Sequence, residues 1–217
     1  MPPEPLVLAF DTSAAHCAAA VVSGDRLVAE ALDPMEKGQA EHLFPMLERL
    51  LSAAGIGWPD LTSLSVGIGP GNFTGVRLSV AAARGLALAL KLPLHGVSRL
   101  EATALGLPRP CLVALDARLG RAYLQRFDNA ECLPEIAALD TVGPDAAVGL
   151  ACVTGDAAAA ILAERLGLPL VSPPLPLARA MAMIAARRPA PVTRPAPLYL
   201  LPADAAPPRE APPVILP

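Results

Sequence analysis

The sequence predicts an α/β protein with mixed sheets, arranged as two unequal lobes. Three observations predict it. The first hundred residues read as strands joined by tight turns, then as alternating helices and strands. After "GLPRP" (106–110) a weaker version of that pattern begins again. From Pro189 onward proline is so frequent that regular structure stops, apart from "APLYLL" (196–201). Strand-rich beginnings followed by helices pack as α/β layers with mixed sheets. The expected organisation is a first lobe over 1–105, a smaller second lobe over 106–188, and a proline-rich segment over 189–217 returning to lobe one.

"LVLAFDTS" (6–13) is an apolar run ending in polar residues, as a buried strand does. "HCAAAVVSGDRLVAEAL" (16–32) reads as two strands around a turn at Ser23-Gly24-Asp25. Together these three strands form an antiparallel meander. In "QAEHLFPMLERLLSAAG" (39–55), Leu43, Met46, Leu47, Leu50 and Leu51 recur at helical spacing, and Gly55 is the stop. Pro45 falls near the first turn, where proline is tolerated.

"SLSVGIG" (63–69) is the next strand, followed by "GPGNFTG" and a helix from about Gly75 to Lys91, with Thr74 as its N-cap. "LPLHGV" (92–97) is a strand, and Ser98 caps a short helix through Leu105. The first lobe is therefore β-β-β-α-β-α-β-α. In the second, "CLVALDARLG" (111–120) is a strand ending in an aspartate loop, with "RAYLQRF" (121–127) as its hairpin partner. "AVGLACVTGD" (147–156) is a strand meeting the helix 157–167, and 177–188 is a further helix.

Composition narrows the function classes. The 217 residues are 53% hydrophobic and 17% charged, which describes a globular chain. A net charge of −3 and 3% aromatics offer neither a basic face nor stacking rings in bulk. An autonomous nucleic-acid binder usually has both, so any RNA role is expected to run through a partner. Cys17, Cys111, Cys132 and Cys152 contain no C-x-x-C pair and read as small hydrophobes in a reducing cytoplasm. The N-terminus lacks a basic n-region, and no uncharged apolar run reaches the ~18 residues of a membrane span. The expectation is a cytoplasmic protein without membrane contact.

The glycine-rich "GPGNFTG" raises the question of phosphate binding. The pattern G-x-x-x-x-G-K-[ST] is absent, because Val76 and Arg77 follow Gly75. G-x-G-x-x-G also fails, because Asn72 or Thr74 stands where its third glycine is needed. A helix N-terminus favours anions, but glycines also serve tight strand-to-helix turns. Both readings stay open. His16, His42 and His95 form no i, i+4 pair or H-E-x-x-H, so no metal site is expected. No G-x-S-x-G surrounds any serine.

Two strand-end aspartates are more suggestive. Asp11 opens "DTS" and Asp116 opens "DARLG". Carboxylates at two strand ends facing one cleft suit Mg-nucleotide handling, since Mg²⁺ takes few protein ligands. Gly155 in "VTGDAA" supplies a glycine turn for an adenosine. Equally, such aspartates serve as turn and cap residues. Asp11, Thr12, Ser13, Asp116 and Gly155 are the nucleotide-binding candidates.

"LAFDTS", "HLFPML", "GIGPGNFTGVRLSVAAARGLALALKLPLHGVSRLEA", "ALDARLGRAY" and "PLYLLP" occur in this order, and the combination closely resembles the TsaB family. The resemblance spans almost the whole chain, and G-P-G-x-F-T-G-[VI]-R is highly specific to the family. It implies the two-lobed fold of the actin, sugar-kinase and chaperone-ATPase superfamily, which is ribonuclease H-like, with "DTS" and "DARLG" as its two phosphate loops. It also implies a non-catalytic dimerisation subunit of the bacterial complex that makes N6-threonylcarbamoyladenosine beside the anticodon of tRNA. The implied partners are a metal-bearing catalytic sister subunit and a small ATPase subunit, with a homodimer when the chain is alone and tRNA reached indirectly. No intrinsic cofactor is implied; ATP or ADP would bind only within the assembled complex.

The sister subunit carries a metal-binding H-x-E-G-H where this chain has "RLEAT" (99–103). Glu101 remains, but Arg99 and Thr103 replace both ligands, and an arginine stays protonated. The chain departs from the family at Gln39, at Leu201 and in a tail (202–217) without lysines. In the family, helices one and two form the partner interface. The resemblance therefore makes Gly69, Pro70, Gly71, Phe73, Thr74, Gly75, Arg77, Val80 and Arg84 the loop and interface residues. Arg77, Arg84 and Lys91 recur every seven residues as a polar edge. Val76, Val80, Ala83 and Ala87 form a small-residue face, with one side expected in the core and one at the interface. Arg77 orients the loop, reaches a partner or is simply solvated. The competing functions are an independent ATP-dependent kinase or phosphotransferase and a metallopeptidase ("glycoprotease").

Overall fold

A computed structural model describes residues 4–128 and 132–200. Leu201 and the 202–217 tail lie outside the described residues. The first sheet holds β1 (Leu6–Asp11), β2 (His16–Ser23), β3 (Arg26–Pro34), β4 (Ser63–Gly67) and β5 (Leu94–Val97) in the order β3-β2-β1-β4-β5. β1, β2 and β3 pair antiparallel, as the meander requires, while β4 and β5 join parallel. α1 (Gln39–Ala53) and α2 (Phe73–Leu90) connect strands of this sheet, and α3 (Arg99–Ala104) leads from β5 to the second sheet. The second sheet holds β6 (Cys111–Asp116), β7 (Arg121–Phe127), β8 (Glu135–Ala138) and β9 (Cys152–Gly155) in the order β8-β7-β6-β9. α4 (Ala157–Leu166) and α5 (Leu177–Ala186) follow. The α/β class with mixed sheets is as the sequence reads.

β1 is buried on both faces because its neighbours alternate sides. Leu8 and Phe10 join Leu43, Leu47, Val76 and Val80 of α1 and α2. Val7 and Ala9 join Met181 and Ile184 of α5 on the other face. The sequence order assigned α5 to the second lobe, but its buried face packs on β1 and β2 of the first sheet. Ser65 Oγ donates to the Met181 carbonyl at 3.3 Å, fixing α5 against β4. β6 divides in the same way. Leu112 and Ala114 meet α4, while Val113 and Leu115 meet Leu100 and Ala104 of α3. α3 therefore wedges between the second sheet and α5.

Three local expectations change. The run 147–156 is a strand only from Cys152, because Pro144–Ala147 forms a 3-10 turn. β8 escapes a sequence reading because "EIAA" is too short to show a period. "APLYL" lies against the first lobe without becoming a strand: Leu198 N donates to the Ile68 carbonyl at 2.8 Å, and no ladder continues. α2 is long and apolar enough to cross a membrane by length and composition. Here Val76, Val80 and Ala83 are instead buried against the sheet. Cys17, Cys111 and Cys152 are buried free thiols, as their apolar runs predict. Cys111 and Cys152 are register partners on adjacent strands, which their sequence spacing hides. Burial pushes the Cys17 thiol up to about 11, with Asp33 and Asp11 adding to the shift.

Candidate functional site

The turn after β1 and the glycine loop before α2 interlock. Thr12 Oγ1 donates to the Gly75 carbonyl at 2.7 Å, and Asn72 N donates to the Ser13 carbonyl at 2.7 Å. A Cβ on Gly75 would stand 2.0 Å from Thr12 O, and one on Gly71 would stand 2.3 Å from Ser13 O. The two glycines exist because backbone from the first turn lies where their side chains would be. Gly69 meets a different demand, with φ +92°, a left-handed conformation that glycine adopts without strain. The N-cap of α2 is Asn72, not Thr74: Asn72 Oδ1 accepts from the Thr74 and Gly75 amides. Asparagine before a helix is the stronger capping signal.

Asp11, Thr12 and Ser13 are all fully buried. Asp11 Oδ1 accepts from Ser13 N and Ser13 Oγ and lies 3.0 Å from His16 Nε2. Asp11 Oδ2 is buried without a hydrogen-bond partner, and a Cβ on Gly67 would come within 1.8 Å of it. Burial raises the carboxyl pKa, but His16, Arg99 and Ser13 together hold it below the ordinary carboxylate value. Each hydroxyl of the "DTS" turn thus serves the fold. This turn does not fit a nucleotide phosphate in the conformation seen, because the glycine loop fills the space before it.

Arg99, the first residue of "RLEAT", fastens the same loop. Its amide donates to the Gly69 carbonyl at 2.8 Å, and its guanidinium donates to the Pro70 carbonyl at 3.1 Å. Ser98 caps α3 as read, accepting from Glu101 N. Glu101 forms an ion pair with Arg188. Among the described residues, no group of three His, Cys, Asp or Glu side chains stands ready to hold a metal ion.

The second aspartate loop is open by comparison. Asp116 is exposed, and its Oδ1 accepts from Arg118 N at 3.0 Å. Asp116 N donates to the carboxylate of Asp156, which also caps α4. Asp156 was missed in the sequence, although an aspartate just before an alanine-rich helix is a capping signal. Gly155 has φ +141°, and a Cβ there would lie 1.9 Å from Ala114 O. Its glycine is thus required by close packing of β9 on β6. Among the described residues, no hydrogen bond joins the Asp11 turn to Asp116 or Gly155.

The sides of α2 differ from the expected arrangement. Val76, Val80 and Ala83 are at most 3% exposed, so Val80 belongs to the core and not to a surface. The open side carries Thr74, Leu78, Ala81, Gly85, Leu88 and Ala89. A Cβ at Gly85 would meet nothing within 4 Å. A third side is strapped by residues 191–200. Arg84 donates to the Pro195 carbonyl. Arg77 lies 3.6 Å above the Phe73 ring, and its Nε donates to Tyr199 Oη at 2.7 Å. Arg77 is therefore neither free in solvent nor reaching outward; it anchors the strap.

Residues 34–184 match a family model described as TsaD, tRNA N6-adenosine threonylcarbamoyltransferase. The chain belongs to the TsaB/YeaZ family. It is similar to the tRNA threonylcarbamoyladenosine biosynthesis protein TsaB of Escherichia coli, with 35% identity over 130 residues, 58% of this chain and 56% of that protein. The match thus spans about half the length of this curated relative. An uncharacterized protein of Mycobacterium tuberculosis is 34% identical over 93% of this chain and 94% of its own. A Pseudomonas aeruginosa crystal structure, described as an uncharacterized protein similar to peptidase YeaZ, superposes with a TM-score of 0.72. That match has 25% identity and covers 91% of this TsaB-family chain and 100% of the other. The fold extends to component A of (R)-2-hydroxyglutaryl-CoA dehydratase from Acidaminococcus fermentans, at a TM-score of 0.56 and 13% identity, covering 84% of this chain and 98% of that one. The actin-like ATPase and sugar-kinase fold implied by the resemblance is therefore the fold of this chain.

Proposed function

We propose that this chain is a non-catalytic dimerisation subunit for threonylcarbamoyl transfer to adenosine beside the anticodon of tRNA. It binds a metal-bearing catalytic sister subunit through α1 and α2, works with a small ATPase subunit, and pairs with itself when alone. The observation that carries this reading is the fate of "RLEAT". Arg99 grips the glycine loop and Glu101 pairs with Arg188, so the segment that holds metal in the sister subunit serves the fold here. The names of the E. coli relative and of the matching family model support the pathway.

The partner surface is the open side of α2. Its residues are small or apolar, and Gly85 leaves room for a second helix to approach closely. Nucleotide contact at Asp11, Thr12 and Ser13 requires the glycine loop to part from them, which fits a role only within an assembled complex.

Co-purification with the metal-bearing sister subunit tests the proposal. Gly85→Arg should abolish recovery of the pair while the free chain keeps its melting temperature. Unchanged recovery would remove α2 from the interface. Full tRNA modification by the remaining subunits without this chain would defeat the scaffold reading.

A further inference from the structure

Residues 61–100 and 165–200 contain no aspartate or glutamate, yet they hold four and five, or nine, of the 17 Lys and Arg residues. The fold brings these two acid-free stretches together, because the strap lies along α2. Where they meet at the end of α2 is a groove of about 290 Å³. Arg84, Lys91 and Arg194 line it, Leu88 and Val192 form its apolar part, and no carboxylate lines it. Leu88 is 71% exposed and Val192 fully exposed. Along the same seam, toward the start of α2, stand Phe73, Arg77 and Tyr199. The two rings are 5.4 Å apart and each remains nearly half exposed. In a chain with few aromatic residues, two rings and four cations, Arg77, Arg84, Lys91 and Arg194, therefore share one seam.

We propose that this seam binds a single strand of RNA, with phosphates in the Arg84–Lys91–Arg194 groove and a base stacked on the Phe73–Tyr199 pair. The chemistry is specific to that ligand class. A basic groove follows the backbone, and exposed ring faces accept any base. An acidic peptide would use the cations but leave the rings without a partner. The distance is adequate, since Arg77 and Lys91 are fourteen residues apart, about 21 Å along a helix. The proposal rests on the preceding reading for RNA over DNA. It adds a direct contact that the overall charge of −3 conceals. This seam adjoins the open side of α2, and Leu88 stands at their shared border.

Fluorescence anisotropy with the free full-length chain and a labelled single-stranded RNA of about ten nucleotides tests this, with an RNA duplex and polyglutamate as competing probes. Three to four neutralised phosphates predict a slope of log affinity on log salt of roughly −2 to −3. Lys91→Glu with Arg194→Glu, both on exposed residues, should weaken binding at least tenfold. Tyr199→Ser should weaken it about five- to tenfold and leave the salt slope unchanged. Polyglutamate or duplex binding as tight as the single strand overturns the proposal. So does an unchanged affinity in the double variant, or no binding at roughly 50 mM salt. Because the chain is tested alone, loss of the sister-subunit interaction does not alter this result, and absence of RNA binding leaves the scaffold reading intact.

Discussion

Gly75 and Thr12, 63 positions apart, share one contact that decides how the first lobe closes. Thr12 Oγ1 donates to the Gly75 carbonyl at 2.7 Å, while the Thr12 carbonyl stands where a Gly75 side chain would begin. The glycine loop is thus shaped by the turn it covers.

Gly75→Ala should destabilise the chain by about 1–3 kcal/mol, because the obstructing atom is backbone and cannot swing aside. Gly85→Ala should do the reverse and add about 0.5–1 kcal/mol, since it improves helix propensity in open space. Urea melts of both variants check the pair. Equal shifts would mean that backbone crowding does not govern the first site.

Acidification should weaken the fold in two separate windows. Burial, then Arg188, holds His95 below its ordinary value. The unfolded chain then binds the proton more readily, so stability is full above about 6.5 and falls as pH drops below it. Asp11 is also held low, so its contribution is full above about 3.9 and is lost further into acid. Unfolding free energy measured from neutral pH downward should show both slopes. His95→Gln should remove the first and Asp11→Asn the second.

Two substitutions on α2 should separate core from surface. Val80→Arg places an unpaired charge in the first core and should cost more than about 4 kcal/mol, enough to prevent folding. Gly85→Arg should leave the melting temperature within a few degrees while reducing association with the sister subunit at least tenfold. Circular dichroism melts and pull-down assays read the two effects independently.

Releasing the strap should be a local event. Arg77→Ala removes the hydrogen bond to Tyr199 and a cation–π contact worth about 0.5–1 kcal/mol at an exposed site. Limited proteolysis should then cut faster within 189–200, with little change in the global melt. Unaltered cleavage would show that the apolar contacts of the strap hold it unaided.

The α/β class, the meander and most element positions were legible because β1 is a continuous apolar run and apolar residues recur at helical spacing in α1. Ser98 was legible as a cap, whereas Asn72 lost to Thr74 because both precede the same helix. β8 was too short to show a period. The candidate site was legible as residues but not as roles. Asp11, Thr12 and Ser13 stand out as a strand-end motif in either case. Whether they face a ligand or their own chain depends on a loop more than fifty residues away.

The sequence by itself determined the order of elements, the family and the glycine turn leading into α2. These follow from local periodicity, capping chemistry and a contiguous motif. Tertiary structure alone decided which side of α2 is core, which is open and which is strapped. It also decided that Arg99 grips Pro70 and that Arg77 stacks on Phe73 while donating to Tyr199 Oη. An amphipathic pattern states that a helix has a buried side, but a weakly polar helix such as α2 has several sides that qualify. Only the sheet beneath it and the strap across it, brought from more than a hundred residues away, choose among them.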